Sequence, residues 1–313
     1  MVGNLVRRAA TIASSDLEVR EAIALLCLRL CPCYGSILRL VQAHPLLSEE
    51  DLAGLLSLKR KSVHSLLSAL HKMGSRHPIS TSVGKRWHLC ERGLRLLAAA
   101  NHLHLRAFAV TSQAEEEGSH LHQRGEAWLL SHIQHTVGVY GFFASLAQVG
   151  KQQPGQELCW WETGAGCERR YRVGDQWHNL RPAALAEYRV GARRLRFWLE
   201  WDRGTMNARD LTVKFASYAH YLASRAWASE GAKPPRLLCV APELAQERRM
   251  QRVAQASLTS TSGPILWTTT AELLHEHGPL ASIWSPGIPA PGQAASAFNM
   301  RSVFETIIGN WGR

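Results

Sequence analysis

Long apolar runs are missing from this chain of 313 residues. No stretch reaches the roughly 18 apolar residues that a membrane span requires. The best candidate, residues 22–41, is interrupted by Arg29, Pro32 and Arg39, so membrane insertion is not expected. Arg7 and Arg8 are not followed by an apolar block with a small-residue cleavage site, so no signal peptide is expected and a cytoplasmic protein is. Paired cysteine motifs are missing too. The seven cysteines are an odd number with no CxxC spacing, and the one close pair, Cys31 and Cys33, lies in an apolar helical stretch. A zinc site or a disulfide framework is therefore not expected. The fifteen histidines show no HExxH spacing. Lysine is absent from residues 169–209, which hold ten arginines against four acids.

What the chain does have is positive charge, +11 formally, with a pI near 9.7. Residues 1–100 carry 14 Lys+Arg against 7 Asp+Glu. Arginine's planar fork suits bidentate phosphate contact. A polyanion is the natural partner of such a surface.

The first hundred residues have the rhythm of a winged helix. Residues 16–30 show helical apolar spacing at Leu17, Ile23, Leu26 and Leu30. Ser48-Glu49-Glu50-Asp51 is a capping box opening a short helix through Leu56. A tight turn leads to Lys59-Arg60-Lys61-Ser62 and a helix with Val63, Leu66, Leu67, Leu70 and Met73 inward, ended by Gly74. Two short strands, 79–83 and 86–90, joined at Gly84-Lys85, predict a hairpin with a basic tip, and a helix follows from Glu91 to Ala100. A short helix, a turn, a second helix with a basic first turn and then a hairpin is the order of a DNA-binding winged helix-turn-helix. Lys59, Arg60, Lys61, Lys85 and Arg86 are the expected phosphate contacts, and His64 is an outward position able to reach base edges.

From Trp128 the pattern is a helix, then strands at 157–163, 170–173, 184–190 and 195–202, a helix over 208–229, a strand at 236–241, a helix at 244–255, a strand at 264–268 and a helical turn at 270–275. This predicts a mixed α/β sheet. The most informative segment is Phe197–Tyr221, FWLEWDRGTMNARDLTVKFASYAHY. Strand alternation puts Arg196, Trp198, Glu200 and Asp202 on one face and Phe197, Leu199 and Trp201 on the other. Asn207 is positioned to cap the next helix, where Lys214, Tyr218 and Tyr221 fall on one stripe. Two carboxylates followed by a lysine are the parts that hold a divalent metal and a phosphate. The expected division is 1–105 winged helix, 106–125 helical connector, 126–285 α/β core and 286–313 a Pro/Gly-rich tail. A docking helix at 298–311 in that tail would be a route to a homodimer.

Several of these residues together resemble the replication-relaxation family of plasmid and mobile-element proteins. They are the winged helix, His135-Thr136, Leu180-Arg181-Pro182, the LEWDRGT block at 199–205, Lys214 and Tyr218, the apolar strand 237–241, and Ile283-Trp284. The resemblance covers about residues 20–285. It implies a DNA-binding winged helix fused to a core similar to restriction endonucleases, an α+β or α/β architecture overall. By that resemblance Glu200, Asp202 and Lys214 take the catalytic positions, Glu200 and Asp202 hold Mg²⁺, and His135 faces the same site. Pro182 matches, but where the family has an acid this chain has Ala183. Glu187 and Glu162 are the candidate replacements. The departure weakens any Mg²⁺ site, since such a site needs several negative ligands. The first reading is therefore a DNA-binding protein with a degenerate nuclease-like core. The second is a Mg²⁺-dependent DNA endonuclease. The third is an interaction subunit for other mobile-element or defence proteins, with Trp160, Trp161, Trp198 and Trp201 as its interface.

Overall fold

The computed structural model describes residues 31–100, 128–231, 233–258 and 266–287. The expected helix at 16–30, the connector at 106–125 and the tail beyond residue 287, with its docking helix, lie outside the described residues. The chain divides into two compact units, Met1–Tyr140 and Gly141–Arg313, so it is a mixed α/β protein with a helical first part and a sheet-rich second part.

In the first unit, helix α1 (Pro32–Ala43) opens on a proline, whose missing N–H costs nothing in a first turn. It buries Tyr34, Ile37, Leu38 and Val41, the i, i+3, i+4, i+7 stripe of an amphipathic helix. Helix α2 (Glu49–Leu56) has the expected capping box. Ser48 Oγ accepts from the Asp51 N–H at 3.0 Å, and Asp51 Oδ2 accepts from the Ser48 N–H at 2.8 Å. Ser57, at φ +52°, ends it. Lys59 is the cap residue of helix α3 (Arg60–Lys72), which buries Val63, Leu67 and Leu70 and leaves its first turn in solvent.

Strands β1 (Arg76–Thr81) and β2 (Gly84–Leu89) pair antiparallel, with Thr81 opposite Gly84. Leu47 adds a bridge to Trp87. Helix α4 (Glu91–Ala100) follows the hairpin. It approaches the hairpin so closely that a Cβ on Gly93 would lie 2.0 Å from the Ser75 carbonyl oxygen.

The hairpin corrects the sequence expectation. Its turn is Ser82-Val83, not Gly84-Lys85, and Gly84 opens β2 at φ +97°. Lys85 therefore sits on the strand opposite Ser80, and Arg86 points inward. Arg86 is buried, donating through Nη1 to Asp51 Oδ2 at 3.0 Å and through Nη2 to the Val83 carbonyl at 3.1 Å. It holds the hairpin to α2 and is not an outward phosphate contact.

In the second unit, six strands form one sheet in the order β10-β9-β8-β7-β6-β3. They are β3 (Gln156–Thr163), β6 (Ala184–Val190), β7 (Arg193–Trp201), β8 (Arg236–Ala241), β9 (Leu266–Thr270) and β10 (Ser285–Pro286). β7, β8 and β9 run parallel, and the others pair antiparallel. The crossovers are α6 (Ala208–Ser224) from β7 to β8 and α7 (Leu244–Ser257) from β8 to β9. Two crossovers of one hand stepping in one direction across a sheet put both helices on the same face. Both indeed join one core cluster with Leu185, Trp198 and Leu237. Helix α5 (Ile133–Gln152), within which the division between units falls, covers the opposite face through Phe142 and Phe143 against Phe197. The expected alternation on β7 holds. Trp198 packs on Tyr218 and Tyr221 of α6, while Phe197 packs on α5.

A strand pair outside the main sheet, β4 (Arg169–Val173) and β5 (Gln176–Leu180), follows a 3-10 turn at Gly164–Cys167. Helix α8 (Ala271–His277) follows β9.

Two stability outcomes follow for the first unit. Arg86→Ala leaves Asp51 buried without its cation, and the expected loss is roughly 3–5 kcal/mol in urea unfolding, partly recovered in the Asp51→Leu, Arg86→Met double variant. His44 is buried, and burial pushes its pKa from the ordinary 6.5 to about 3. The fold holds the neutral ring, so this stability is present above pH 6.5 and is lost as the pH falls toward 3. Its limiting slope is about 1.4 kcal/mol per pH unit. His44→Phe should flatten that acid limb in a pH series of melting temperatures.

Candidate functional site

Glu200 is the second-last residue of β7 and faces α6. It is 3% exposed. Tyr218 donates its hydroxyl to Glu200 Oε1 at 2.5 Å, and Lys214 Nζ lies 2.5 Å from Oε2. Both contacts depend on where α6 starts. Asn207 caps it by accepting from the Asp210 N–H at 3.0 Å, and Asp210 returns a bond to the Asn207 N–H. From that start Lys214 and Tyr218, one turn apart, both land over the end of β7. Tyr218 is fully buried. Burial, and then the Glu200 charge, raise its pKa well above the ordinary 10, so it remains a neutral donor.

Asp202 is also buried, just past the strand. Its backbone N–H continues the ladder to the Val240 carbonyl at 2.8 Å. Its Oδ1 accepts from the Gly204 N–H at 3.0 Å, closing a turn in which Gly204 has φ +78°. The sequence-predicted trio thus converges at one end of β7, with unlike roles. Glu200 and Lys214 are an ion pair, and Asp202 is a turn former.

Two buried thiols flank the cluster. Cys239 is the β8 partner of Glu200, and Cys167 donates to the Gly164 and Pro182 carbonyls at 3.1 Å. Burial first, then Glu200, raises both, Cys167 to about 12. Neither is a nucleophile at neutral pH.

The candidate replacements for Ala183 do not reach the cluster. Continuing the β6–β7 register one residue beyond Ala184–Leu199 places Ala183 across from Glu200, where it offers a methyl group. Glu187 pairs opposite Arg196, four residues and about 13 Å of strand away from Glu200. It is held by Arg194 Nη1 at 2.8 Å. Glu162 is exposed on β3, two strands across, with Arg169 3.7 Å away. Among the described residues no three His, Cys, Asp or Glu side chains group closely enough to hold a metal ion. His135 lies in the first unit and is half-buried. The tryptophans expected to share a surface do not. Trp161 stacks on Phe143 and Trp198 is in the core under α6, on opposite faces of the sheet.

The basic surface is in part self-neutralised. In the first unit the three acids at the start of α2 each take a basic partner. Glu50 pairs with Arg60 at 3.0 Å, Glu49 with His64 at 3.1 Å, and Asp51 with Arg86. Lys59 and Lys61 are exposed at the start of α3, and Lys85 is exposed with its ammonium 4.5 Å above the Trp87 ring. In the second unit Arg169, Arg172, Arg181, Arg189, Arg194 and Arg196 all have carboxylate partners. The arginine-rich composition therefore overstated the positive surface. A sequence count does not see cross-strand and loop-to-strand pairing.

Comparison with family profiles now decides the family. The replication-relaxation profile matches residues 38–237, more than half of the chain. The chain belongs to the replication-relaxation family. The match spans α2, α3 and the hairpin of the first unit and, in the second, β7, α6 and the Glu200–Lys214–Tyr218 cluster. Searches of curated proteins and of solved structures returned no match. No described helix is long and apolar enough to cross a membrane. The family ties the chain to replication.

Lys214→Met removes the cation over a buried carboxylate. Breaking a buried pair costs roughly 3–5 kcal/mol, and the partial exposure of Lys214 puts the expected loss at the lower end. Tyr218→Phe leaves Oε1 without its donor and should cost about 1–3 kcal/mol. Urea unfolding reads both, and wild-type midpoints in both variants would contradict a structural role for the cluster.

Proposed function

We propose that this chain is a DNA-binding protein of a plasmid or mobile-element replication system. In this reading the first unit is a winged helix, α3 is its recognition helix and the β1–β2 hairpin its wing. The observation that carries the reading is the placement of Lys59 and Lys61. Both stand exposed at the start of a helix whose opposite face, Val63, Leu67 and Leu70, is buried, with Lys85 exposed on the hairpin. A helix offered by its N-terminal turn with lysines at the end is suited to seat on a phosphate backbone. Arg60 joins this surface by exchanging its exposed partner Glu50, whose pairing is weak and salt-screened, and His64 by leaving the partly buried Glu49.

The second unit is read as a nuclease-like core whose carboxylates serve structure. The donor set does not fit Mg²⁺. Both Glu200 oxygens are engaged by side chains of the same chain, Asp202 closes a turn, and Ala183 offers no ligand. Mg²⁺ is held through one or two carboxylates and completed by waters, and here Glu200 would have to give up Lys214 and Tyr218 to serve as one of them.

A protein-partner reading of the first unit is favoured by one observation, the pairing of Arg60 with Glu50 and of His64 with Glu49. Duplex binding separates the two readings. Lys59→Ala with Lys61→Ala should weaken duplex affinity and lower the salt slope, log K against log [salt], by about 1.8. Unchanged affinity and slope would assign that surface to a protein. Supercoiled plasmid incubated with Mg²⁺ or Mn²⁺ should stay intact, and nicking abolished by Glu200→Gln would restore the endonuclease reading.

A further inference from the structure

The β4–β5 ribbon stands outside the six-stranded sheet, and its two faces differ. The inner face is anchored. Tyr171 is buried, donates to the Ser217 carbonyl at 3.3 Å and packs edge-on against Tyr221 at 5.3 Å. Leu180 is buried in the same core, and Arg169 Nε is 2.7 Å from Glu230. The outer face carries Arg170, Arg172, Trp177 and Asn179. The ladder pairs Arg170 with Asn179 and Arg172 with Trp177, and directly opposite residues share a face. All four are exposed, Trp177 by 59%. The Arg170 guanidinium lies 4.4 Å from the Trp177 ring centroid. The acid nearest in the ribbon is Asp175 at its turn, 2.7 Å from Arg172.

An exposed cation–π pair contributes only about 0.5–1 kcal/mol, too little to account for keeping an indole in water. The set is instead the chemistry of a nucleic-acid strand. Guanidiniums engage phosphates and lie flat against π-systems. An exposed ring is a stacking platform for any base whose face is accessible. An amide beside them can hydrogen-bond a base edge. We propose that the outer face of this ribbon binds single-stranded DNA, with an unpaired base stacked on Trp177 and the adjoining phosphates on Arg170 and Arg172. Duplex DNA does not meet the demand of Trp177, because its base faces are already stacked. The site is in the second unit and does not depend on the winged-helix reading.

Fluorescence anisotropy of the full chain with a labelled oligothymidine and a labelled duplex of equal length tests this. Trp177→Ala should weaken single-strand binding by roughly five- to a hundredfold, Trp177→Phe should retain most of it, and Arg170→Gln should weaken it. Duplex affinity should not follow Trp177. Circular dichroism melting identifies any variant that fails to fold, and the Trp177→Phe and Arg170→Gln pair then carries the test. Single-strand affinity unchanged in folded Trp177→Ala, or an equal loss on duplex and single strand, overturns the proposal, as does a wild type that binds no single strand. Lys59→Ala with Lys61→Ala should act on duplex alone. If that variant has no effect while the Trp177 effect stands, the winged-helix reading fails and this one survives.

Discussion

A carboxylate taken out of water must be met by cations and donors, and Glu200 is where this chain meets that constraint. Removing such a group from solvent costs several kcal/mol even after relaxation. The compensation comes from a single helix, in register. Strand alternation aims Glu200 at the α6 side, Asp202 and Gly204 turn the chain back, and the Asn207–Asp210 box fixes the first residue of α6. Lys214 and Tyr218 then reach opposite oxygens of one side chain. A shift of α6 by one residue would rotate both away by about 100° and leave the charge unpaired. The acids, glycine, lysine and tyrosine in residues 199–218 thus each have a place in the fold.

The first unit is organised by the same rule on a smaller scale. Asp51 caps α2 and receives the buried Arg86 guanidinium, so one side chain sets a helix start and fastens the hairpin. Its neighbours Glu49 and Glu50 also reach α3, Glu50 in solvent, where its pairing with Arg60 is weak, and the partly buried Glu49 at the exposed His64. The buried partner of the trio belongs to the fold, and the exposed Glu50–Arg60 pair adds little to it.

Much of this was legible in the sequence because it is local. The Ser48–Asp51 capping box, the Asn207 cap, the alternation along β7 and the Lys214–Tyr218 stripe follow from spacings of a few residues. What failed depended on turn register, on exposure or on contacts distant in sequence. The glycine at 84 reads as a turn residue, yet it opens a strand, and the two-residue shift changes Lys85 from tip to strand and turns Arg86 inward. Strand β5, QWHNL, was missed because its polar outer positions face solvent and only His178 and Leu180 turn toward the core. Glu187 and Glu162 looked available until register separated them from Glu200. Tyr218 was placed on the correct stripe, but its role as the buried donor to Glu200 needed the distance. The arginine-rich segment looked like one cationic surface, and cross-strand acids divide it.

Both Glu200 oxygens are engaged by Tyr218 and Lys214, and under the proposed function this carboxylate holds no metal. Isothermal titration of Mn²⁺ into the wild-type protein, with Glu200→Gln as the reference, reads this directly. Heats that are indistinguishable between the two proteins, with no stoichiometric site, agree with the claim. A one-to-one Mn²⁺ site present in the wild type and lost in Glu200→Gln contradicts it.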